Sequence, residues 1–304
     1  MKKIISIALI AILALPMIAN AKETPEEKAT KDYSSWLPAQ GEWSIGFGLN
    51  PITNFVGNLF NNSTNNKLSA LSGQALSYKG LPQSTISIMG TYMLTNNWEL
   101  RANVGFGFRY QANNKYALDD KALVIDPFSK EKVTDTEKIR DLSGSISFGA
   151  QYRVGKTRPV QGVFGVGLMY VFGVQDTRYS YGNAITELNQ RPTTAVGTYS
   201  SVAGYMPNAR LLSQTTSTSL EHAVGLYGSV GIEWFVAPHI CLGANVNLDF
   251  LYSICPAHDN KYEGYNTLTG NVEEFIEKVR PASHAIDFST NNIGANLYVA
   301  FYLK

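Results

Sequence analysis

The sequence predicts an all-β fold: an antiparallel, up-and-down β-barrel of eight strands that crosses a membrane. Three observations predict it. Apolar and polar residues alternate with a period of two over about eight segments of roughly ten residues, the length that spans a bilayer when a strand is tilted. Short and long connections between these segments alternate strictly. Aromatic residues collect at both ends of the apolar positions.

The chain opens with Met1-Lys2-Lys3, an apolar run at 4–18 and Ala19-Asn20-Ala21. A basic start, a short apolar stretch and an A-x-A site form a secretory signal peptide, so 1–21 is set apart from the fold and expected to be cleaved on export. No Cys follows the run, which argues against a lipid anchor. Residues 22–41 are charged and contain Pro25 and Pro38, and they read as a short, unstructured leader. Residues 42–304 are assigned to the barrel. Beyond residue 21 no apolar run approaches the ~20 residues of a membrane helix, so only strands are left to cross.

The strands follow in order. Trp43, Ile45, Phe47 and Leu49 alternate with Ser44, Gly46 and Gly48. Ile86, Ile88, Tyr92 and Leu94 share a face against Ser87, Met89, Thr91 and Met93. Trp98, Leu100, Ala102, Val104, Phe106, Phe108 and Tyr110 oppose Glu99, Arg101, Asn103, Gly105, Gly107 and Arg109. Leu142, Ile146, Phe148, Ala150 and Tyr152 oppose Ser143, Ser145, Ser147, Gly149 and Gln151. Phe164, Val166, Leu168 and Tyr170 oppose Val163, Gly165, Gly167 and Met169. His222, Val224, Leu226, Val230, Ile232 and Trp234 oppose Glu221, Gly225, Tyr227, Ser229, Gly231 and Glu233. Leu242, Val246, Leu248, Phe250 and Tyr252 oppose Cys241, Gly243, Asn245, Asn247 and Asp249. Finally Ile293, Ala295, Leu297, Val299, Phe301 and Leu303 oppose Gly294, Asn296, Tyr298, Ala300 and Tyr302. Successive side chains of a strand point to opposite faces, so each strand has an apolar face and a small or polar one.

A soluble sandwich also alternates. Its outer face would be rich in Lys and Glu, whereas here the polar parity is mostly Gly, Ser and Asn, sized for a narrow interior. In hydrocarbon every backbone group needs an internal partner, which a closed ring of strands supplies. Thr95-Asn96-Asn97 and the segments 154–159 and 235–239 are short turns, while 50–83, 111–141, 174–219 and 253–292 are long polar connections. That is the arrangement of periplasmic turns and extracellular loops. Trp43, Trp98 and Trp234 then fall at the turn ends, and Tyr110, Tyr170 and Tyr252 at the loop ends, as two aromatic girdles. The count becomes ten if 54–60 or 195–205 adds a hairpin.

Composition narrows the function. Lys plus Arg is 25 against 24 Asp plus Glu, a net +1, which gives no footprint for nucleic acid. Charged residues make up 16%, below the roughly 25% of a soluble domain. Two Cys cannot form a disulfide framework, and Cys241 and Cys255 are ~45 Å apart along an extended chain. Neither a metal nor a cofactor is indicated. The inward charges form two layers: Glu99, Arg101, Arg153 and Glu233 toward the turns, and Arg109, Glu221 and Asp249 toward the loops. They read either as the lining of a narrow pore or, preferentially, as a mutually neutralising plug, because eight strands leave an interior that side chains fill. Catalysis needs a nucleophile and an oriented base. His222 and Glu221 lie on opposite faces, and Ser283, His284 and Asp287 share only a loop, so an enzyme is not expected.

In the last loop Val272, Phe275, Ile276 and Val279 fall at helical spacing and predict a short amphipathic helix over the barrel mouth. The loop at 111–141 reads as a solvated surface. The loop at 174–219, with Tyr179, Tyr181, Tyr199 and Tyr205, suits protein or glycan contacts, unless it is strand extended past the membrane.

Residues 292–301, Asn-Ile-Gly-Ala-Asn-Leu-Tyr-Val-Ala-Phe, resemble the C-terminal insertion signal of Gram-negative outer-membrane barrels, carried by Gly294, Leu297, Val299 and Phe301. The chain as a whole resembles small barrels of the OmpA/OmpX type over about 42–304, although it ends on Leu303-Lys304 and not on Phe. The resemblance implies an outer-membrane location, insertion by the barrel assembly machinery, and contact with outer-membrane lipid and lipopolysaccharide. The expected role is a non-enzymatic surface scaffold whose loops meet an extracellular protein or glycan or protect the integrity of the envelope. A narrow channel is the alternative, and a lipid-modifying enzyme a more distant one.

Overall fold

The computed structural model describes residues 32–48, 86–155, 157–215 and 221–304, with backbone alone at 86, 221 and 287–296. The alternation resolves into twelve strands: β1 (Trp43–Gly48), β2 (Ile86–Met93), β3 (Trp98–Leu118), β4 (Lys132–Val154), β5 (Val160–Ser180), β6 (Tyr199–Ser200), β7 (Ala209–Thr215), β8 (Glu221–Ala237), β9 (Ile240–Cys255), β10 (His258–Asn266), β11 (Asn271–Arg280) and β12 (Ser283–Leu303). A single short helix among the described residues, α1 (Asp120–Ile125), caps the β3–β4 hairpin.

Eight strands close a ring in the order β1-β2-β3-β4-β5-β8-β9-β12, every pairing antiparallel. Trp43 sits at the seam, opposite Tyr92 of β2 on one side and Leu303 of β12 on the other. A closed ring has no free edge, so every strand finds its backbone partners within the barrel. The extra strands expected at 195–205 amount only to β6, which pairs with β7 outside the ring; the candidate at 54–60 lies outside the described residues.

The ring is inverted relative to a soluble protein. Ser44 is 2% exposed while its neighbours Trp43 and Ile45 are 48% and 38% exposed. The same holds round the barrel, with Phe106, Phe148, Leu168, Leu226 and Leu242 all facing outward and exposed. Burying one such side chain is worth roughly 1.5–3 kcal/mol. More than twenty on one continuous outer face would outweigh the ~5–15 kcal/mol stability of a domain if left in water. The face is made for hydrocarbon, and the ring is a membrane-spanning barrel.

Four of the barrel strands run far past the apolar band, β3, β5 and β12 for 21 residues and β4 for 23. The connection at 111–141 is therefore largely strand, while 174–219 is strand at 174–180, 199–200 and 209–215. β3 and β4 stay in unbroken register from Trp98↔Tyr152 to Leu118↔Lys132. Above the membrane β7 pairs with the outer end of β5, β10 with β7 and β11 with β10, making an upper sheet. The segment expected to be a helix, 272–279, is strand β11. Its Val272, Ile276 and Val279 are β-branched, Gly270 takes φ 73° in the turn, and Phe275 pairs with Tyr262 across the hairpin. Apolar residues at i, i+3, i+4 and i+7 match the helical period, and the partner strand overrides it, leaving them divided between the two faces of β11.

The leader also differs from expectation. Residues from Asp32 onward fold against the turn end of the barrel, with a 3-10 turn at Ser34–Trp36. Tyr33 N donates to Thr157 O at 3.3 Å, His239 N to Trp36 O at 3.0 Å, and Gln40 N to Asn96 Oδ1 at 3.0 Å. Trp36 and Leu37 pack on Met93, Phe235, Cys241 and Tyr302 inside the mouth. Two apolar side chains with an open floor to cover are enough to order a segment that is polar by composition.

Candidate functional site: the luminal charge ring and the upper platform

Inward positions near the turn end bring four charges from three strands together. Glu99 and Arg101 come from β3, Arg153 from β4 and Glu233 from β8. Their side chains are at most 5% exposed. Arg153 reaches Glu99 at 2.6 Å and Glu233 at 2.7 Å; Arg101 reaches Glu233 at 2.9 Å and Glu99 at 3.5 Å. Two cations and two anions cancel, which relieves the large cost of isolated charge in a low-dielectric interior.

Two tyrosines of β12 complete the layer. Tyr298 donates to Glu233 at 2.5 Å and accepts from Arg101 at 2.9 Å; Tyr302 bonds Arg153 and Glu99. β4 and β12 stand opposite each other in the eight-membered ring, so the Arg153–Tyr302 contact crosses the full lumen. Both rings also lie against the guanidinium groups, at 4.7 Å for Arg101 over Tyr298 and 5.1 Å for Arg153 over Tyr302. Gly243 leaves the space for Tyr298, whose ring a Cβ at that position would overlap. The inward parity of β12 already pointed Tyr298 and Tyr302 at the charges; sequence reasoning read only ionic residues and passed over them.

Below this layer Met93, Phe235 and Cys241, with Trp36 and Leu37, form an apolar floor. Above it lies a polar cavity of about 70 Å³ lined by Arg101, Asn103, Ser147, Tyr227, Ser229 and Asn247, room for a few waters. Higher still, Met169, Val171, Ala223 and Leu251 make a second apolar layer. Cys241 is a buried thiol, with no disulfide to Cys255.

Of the second expected layer, Arg109 and Asp249 stand at different levels. Arg109 stands at the rim with its side chain 63% exposed and pairs with Asp141. Asp249 is buried lower in the lumen at 5% exposure. The Glu221 side chain lies outside the described residues. Parity named the correct face, but by Arg109 the strand has passed the membrane and inside no longer means enclosed. The girdle residues Trp43, Trp98, Trp234, Tyr110 and Tyr252 all face outward and are exposed. Tyr170 is half-buried, its hydroxyl 2.8 Å from His222 Nδ1. His222 and His284 both lie on this outer face, beside Tyr170 and Tyr252. In the C-terminal segment Leu297, Val299 and Phe301 pair with Ala244, Leu242 and Ile240, and Gly294 with Asn247.

Above the membrane, polar staples fix the long loop after β5. Asp135 is fully buried; it accepts from Gly182 N at 2.8 Å, Ala195 N at 2.7 Å and Thr194 Oγ1 at 2.8 Å. Asp120 Oδ2 accepts from Asn189 Nδ2 and Thr193 N, both at 2.8 Å, tying this loop to α1. Arg210 pairs with Glu263 at 2.7 Å, donates to Asn183 O at 2.8 Å and lies 4.1 Å from the Tyr181 ring centre. Burial pushes the Tyr181 hydroxyl up, against the opposing pull of Arg210. Met206, Ala209, Leu211 and Tyr262 form a small core beneath. On this frame Val124, Ile125, Phe128 and Leu188 are 85%, 87%, 88% and 99% exposed. The solvated surface expected at 111–141 carries three of these exposed apolar residues at its tip, where Asp119 caps α1.

No protein-family model and no curated protein sequence matches the chain. Solved structures are similar at low identity, among them the following three. The outer membrane protein OprG from Pseudomonas aeruginosa is 13% identical, with TM-score 0.30, over 86% of this chain and 98% of its own. Ail, the attachment invasion locus protein of Yersinia pestis, is 11% identical, with TM-score 0.32, over 86% and 98%. A major outer membrane protein from Thermus thermophilus is 11% identical, with TM-score 0.33, over 86% and 99%. The closed eight-stranded ring, and not these likenesses, establishes the fold.

Proposed function

We propose that the protein is a non-enzymatic scaffold of a Gram-negative outer membrane, closed to solutes, that presents a rigid platform for an extracellular protein or glycan. Its turns face the periplasm, and the insertion signal at 294–301 engages the barrel assembly machinery. The observation that carries this reading is the platform itself. Four large apolar side chains stand 85–99% exposed on two loops held by hydrogen bonds to the buried Asp135 and the half-buried Asp120. Ordering long loops costs roughly 1–2 kcal/mol per residue, and exposed apolar clusters of this kind mark docking surfaces. The charge ring supports closure, because ions would have to displace paired groups at 2.6–2.9 Å.

The test has two arms. Folded protein in a planar bilayer is expected to be silent; discrete ion-selective openings would overturn the closed scaffold in favour of a narrow channel. Cells displaying the protein are then applied to arrays of extracellular-matrix proteins and glycans beside cells carrying Val124→Ser/Ile125→Ser/Phe128→Ser. Loss of binding by that variant supports the platform, and equal binding by both refutes it.

A further inference from the structure

The outward face of β3, β4 and β5 changes character at one level. A lower row of paired residues, Trp98, Tyr152 and Phe164, and an upper row, Tyr110, Arg140 and Asp176, stand twelve residues apart on each strand. Twelve residues cover roughly 40 Å along a strand. At a tilt of about 45° that is close to 28 Å of height, matching an apolar band of ~25 Å. Every outward residue between the rows is uncharged: Leu100 to Phe108 on β3, Ala150 to Leu142 on β4, and Val166 to Val174 on β5. The first charges beyond the band are Arg140 and Asp176, followed one row higher by Lys138 beside Arg178.

Three cations thus meet one anion at the upper edge of the lipid. Arg140 and Arg178 are 51% and 67% exposed, and Lys138 is exposed as well. Asp176 lies between the guanidinium groups, 3.6 Å from Arg140 and 3.0 Å from Arg178, and is only 14% exposed. It orients the two forks without neutralising the cluster. The outward row on β8, β9 and β12, His222, Ile254 and His284, continues Gly144 and Phe172 two outward positions below Asp176 and carries no Lys or Arg. Beside Arg140 across the register stands the hydroxyl-bearing Tyr110.

We propose that this cluster binds the phosphate groups of a phosphorylated lipid of the outer leaflet. An acyl chain lies along Phe108, Leu142 and Val174 while its phosphate meets Arg140, Arg178 and Lys138. Guanidinium forks match phosphate oxygens in bidentate pairs, and Lys adds a point charge. A soluble phosphate would gain only the charges; a lipid gains the apolar face directly below them. The assignment rests on the membrane-spanning reading, which quenching of Trp43, Trp98 and Trp234 by brominated lipid checks separately.

Binding of fluorescently labelled, bisphosphorylated lipid A to the refolded full chain in detergent micelles tests it, with heat-dependent gel mobility reporting folding. Each cation at an anionic interface is worth about fivefold in affinity, so Lys138→Gln/Arg140→Gln/Arg178→Gln is expected to weaken binding on the order of 100-fold. Lys121→Gln/Lys130→Gln, on the distant β3–β4 tip, is expected to bind as wild type. Should the triple variant fail to fold, Arg178→Gln alone is expected to lose about fivefold. Equal binding by the variants, or equal binding of dephosphorylated lipid A, overturns the proposal. Competition by inorganic phosphate as strong as that by unlabelled lipid A overturns the lipid in favour of a soluble anion.

Discussion

Removing one carboxylate from the charge ring tests whether these groups act as a buried network. Glu233→Ala deletes contacts to Arg153 at 2.7 Å, Arg101 at 2.9 Å and Tyr298 at 2.5 Å. Hydrogen bonds to charged groups are worth ~1.5–3 kcal/mol each, so the two that Glu233 Oε1 accepts, from Arg101 and Tyr298, total roughly 3–6 kcal/mol, with the Arg153 ion pair besides. Part of this is regained because Glu233 no longer has to be desolvated, which leaves the ~3–5 kcal/mol typical of breaking a buried pair. The cost arises because two guanidinium groups then face one carboxylate, Glu99, with nowhere to go. The double variant Arg101→Met/Glu233→Met leaves Arg153 and Glu99 balanced at 2.6 Å. It is expected to lose less than ~2 kcal/mol, since replacing both partners of a buried pair is often near neutral. Urea unfolding in lipid vesicles, followed by tryptophan fluorescence, measures both. A loss below ~1 kcal/mol for Glu233→Ala, or an equal loss in the double variant, would refute the network; an exposed pair is worth only about that much.

Other outcomes follow from the same geometry. Gly243→Ala drives a Cβ into the Tyr298 ring and is expected to cost ~1–3 kcal/mol by overpacking, whereas Gly228→Ala meets nothing within 4 Å and is expected to be neutral or slightly stabilising in the same urea assay. Asp135→Ala removes three acceptor contacts in the platform; hydrogen exchange of the Gly182 and Ala195 amides is expected to accelerate at least tenfold while the barrel midpoint stays fixed, and unchanged exchange would show that the staple holds nothing. Brominated lipids are expected to quench Trp43, Trp98 and Trp234, which face outward, but not Trp36, which packs against the floor inside the mouth; single-tryptophan variants separate the four.

Parity made the barrel wall legible. Because a strand sends successive side chains to opposite faces, reading Trp98 to Phe108 placed Glu99 and Arg101 inside the barrel without any structure. The same rule put Arg153 and Glu233 on the inner face and the three tryptophans outside. It failed where its premise lapsed. Arg109 stands at the rim, where its long side chain reaches water, so its inward parity does not imply burial. At 272–279 the spacing of Val272, Phe275, Ile276 and Val279 is helical, and pairing with β10 overrides it, dividing the four between the two faces of a strand.

The order of residues alone dictates that this chain lines a narrow lumen with small and polar groups and shows hydrocarbon a continuous apolar face. Those are local properties, written in period-two alternation. Which inward charges meet is a property of the folded chain, because it depends on residues up to 203 positions apart, as in the Tyr302–Glu99 contact. Folding likewise sets the leader over the floor and anchors Asp135 and Asp120 to loop residues about sixty or more positions away. Local pattern sets the face a residue takes; closure of the ring and the long-range hydrogen bonds set its neighbours, and no period in the chain encodes them.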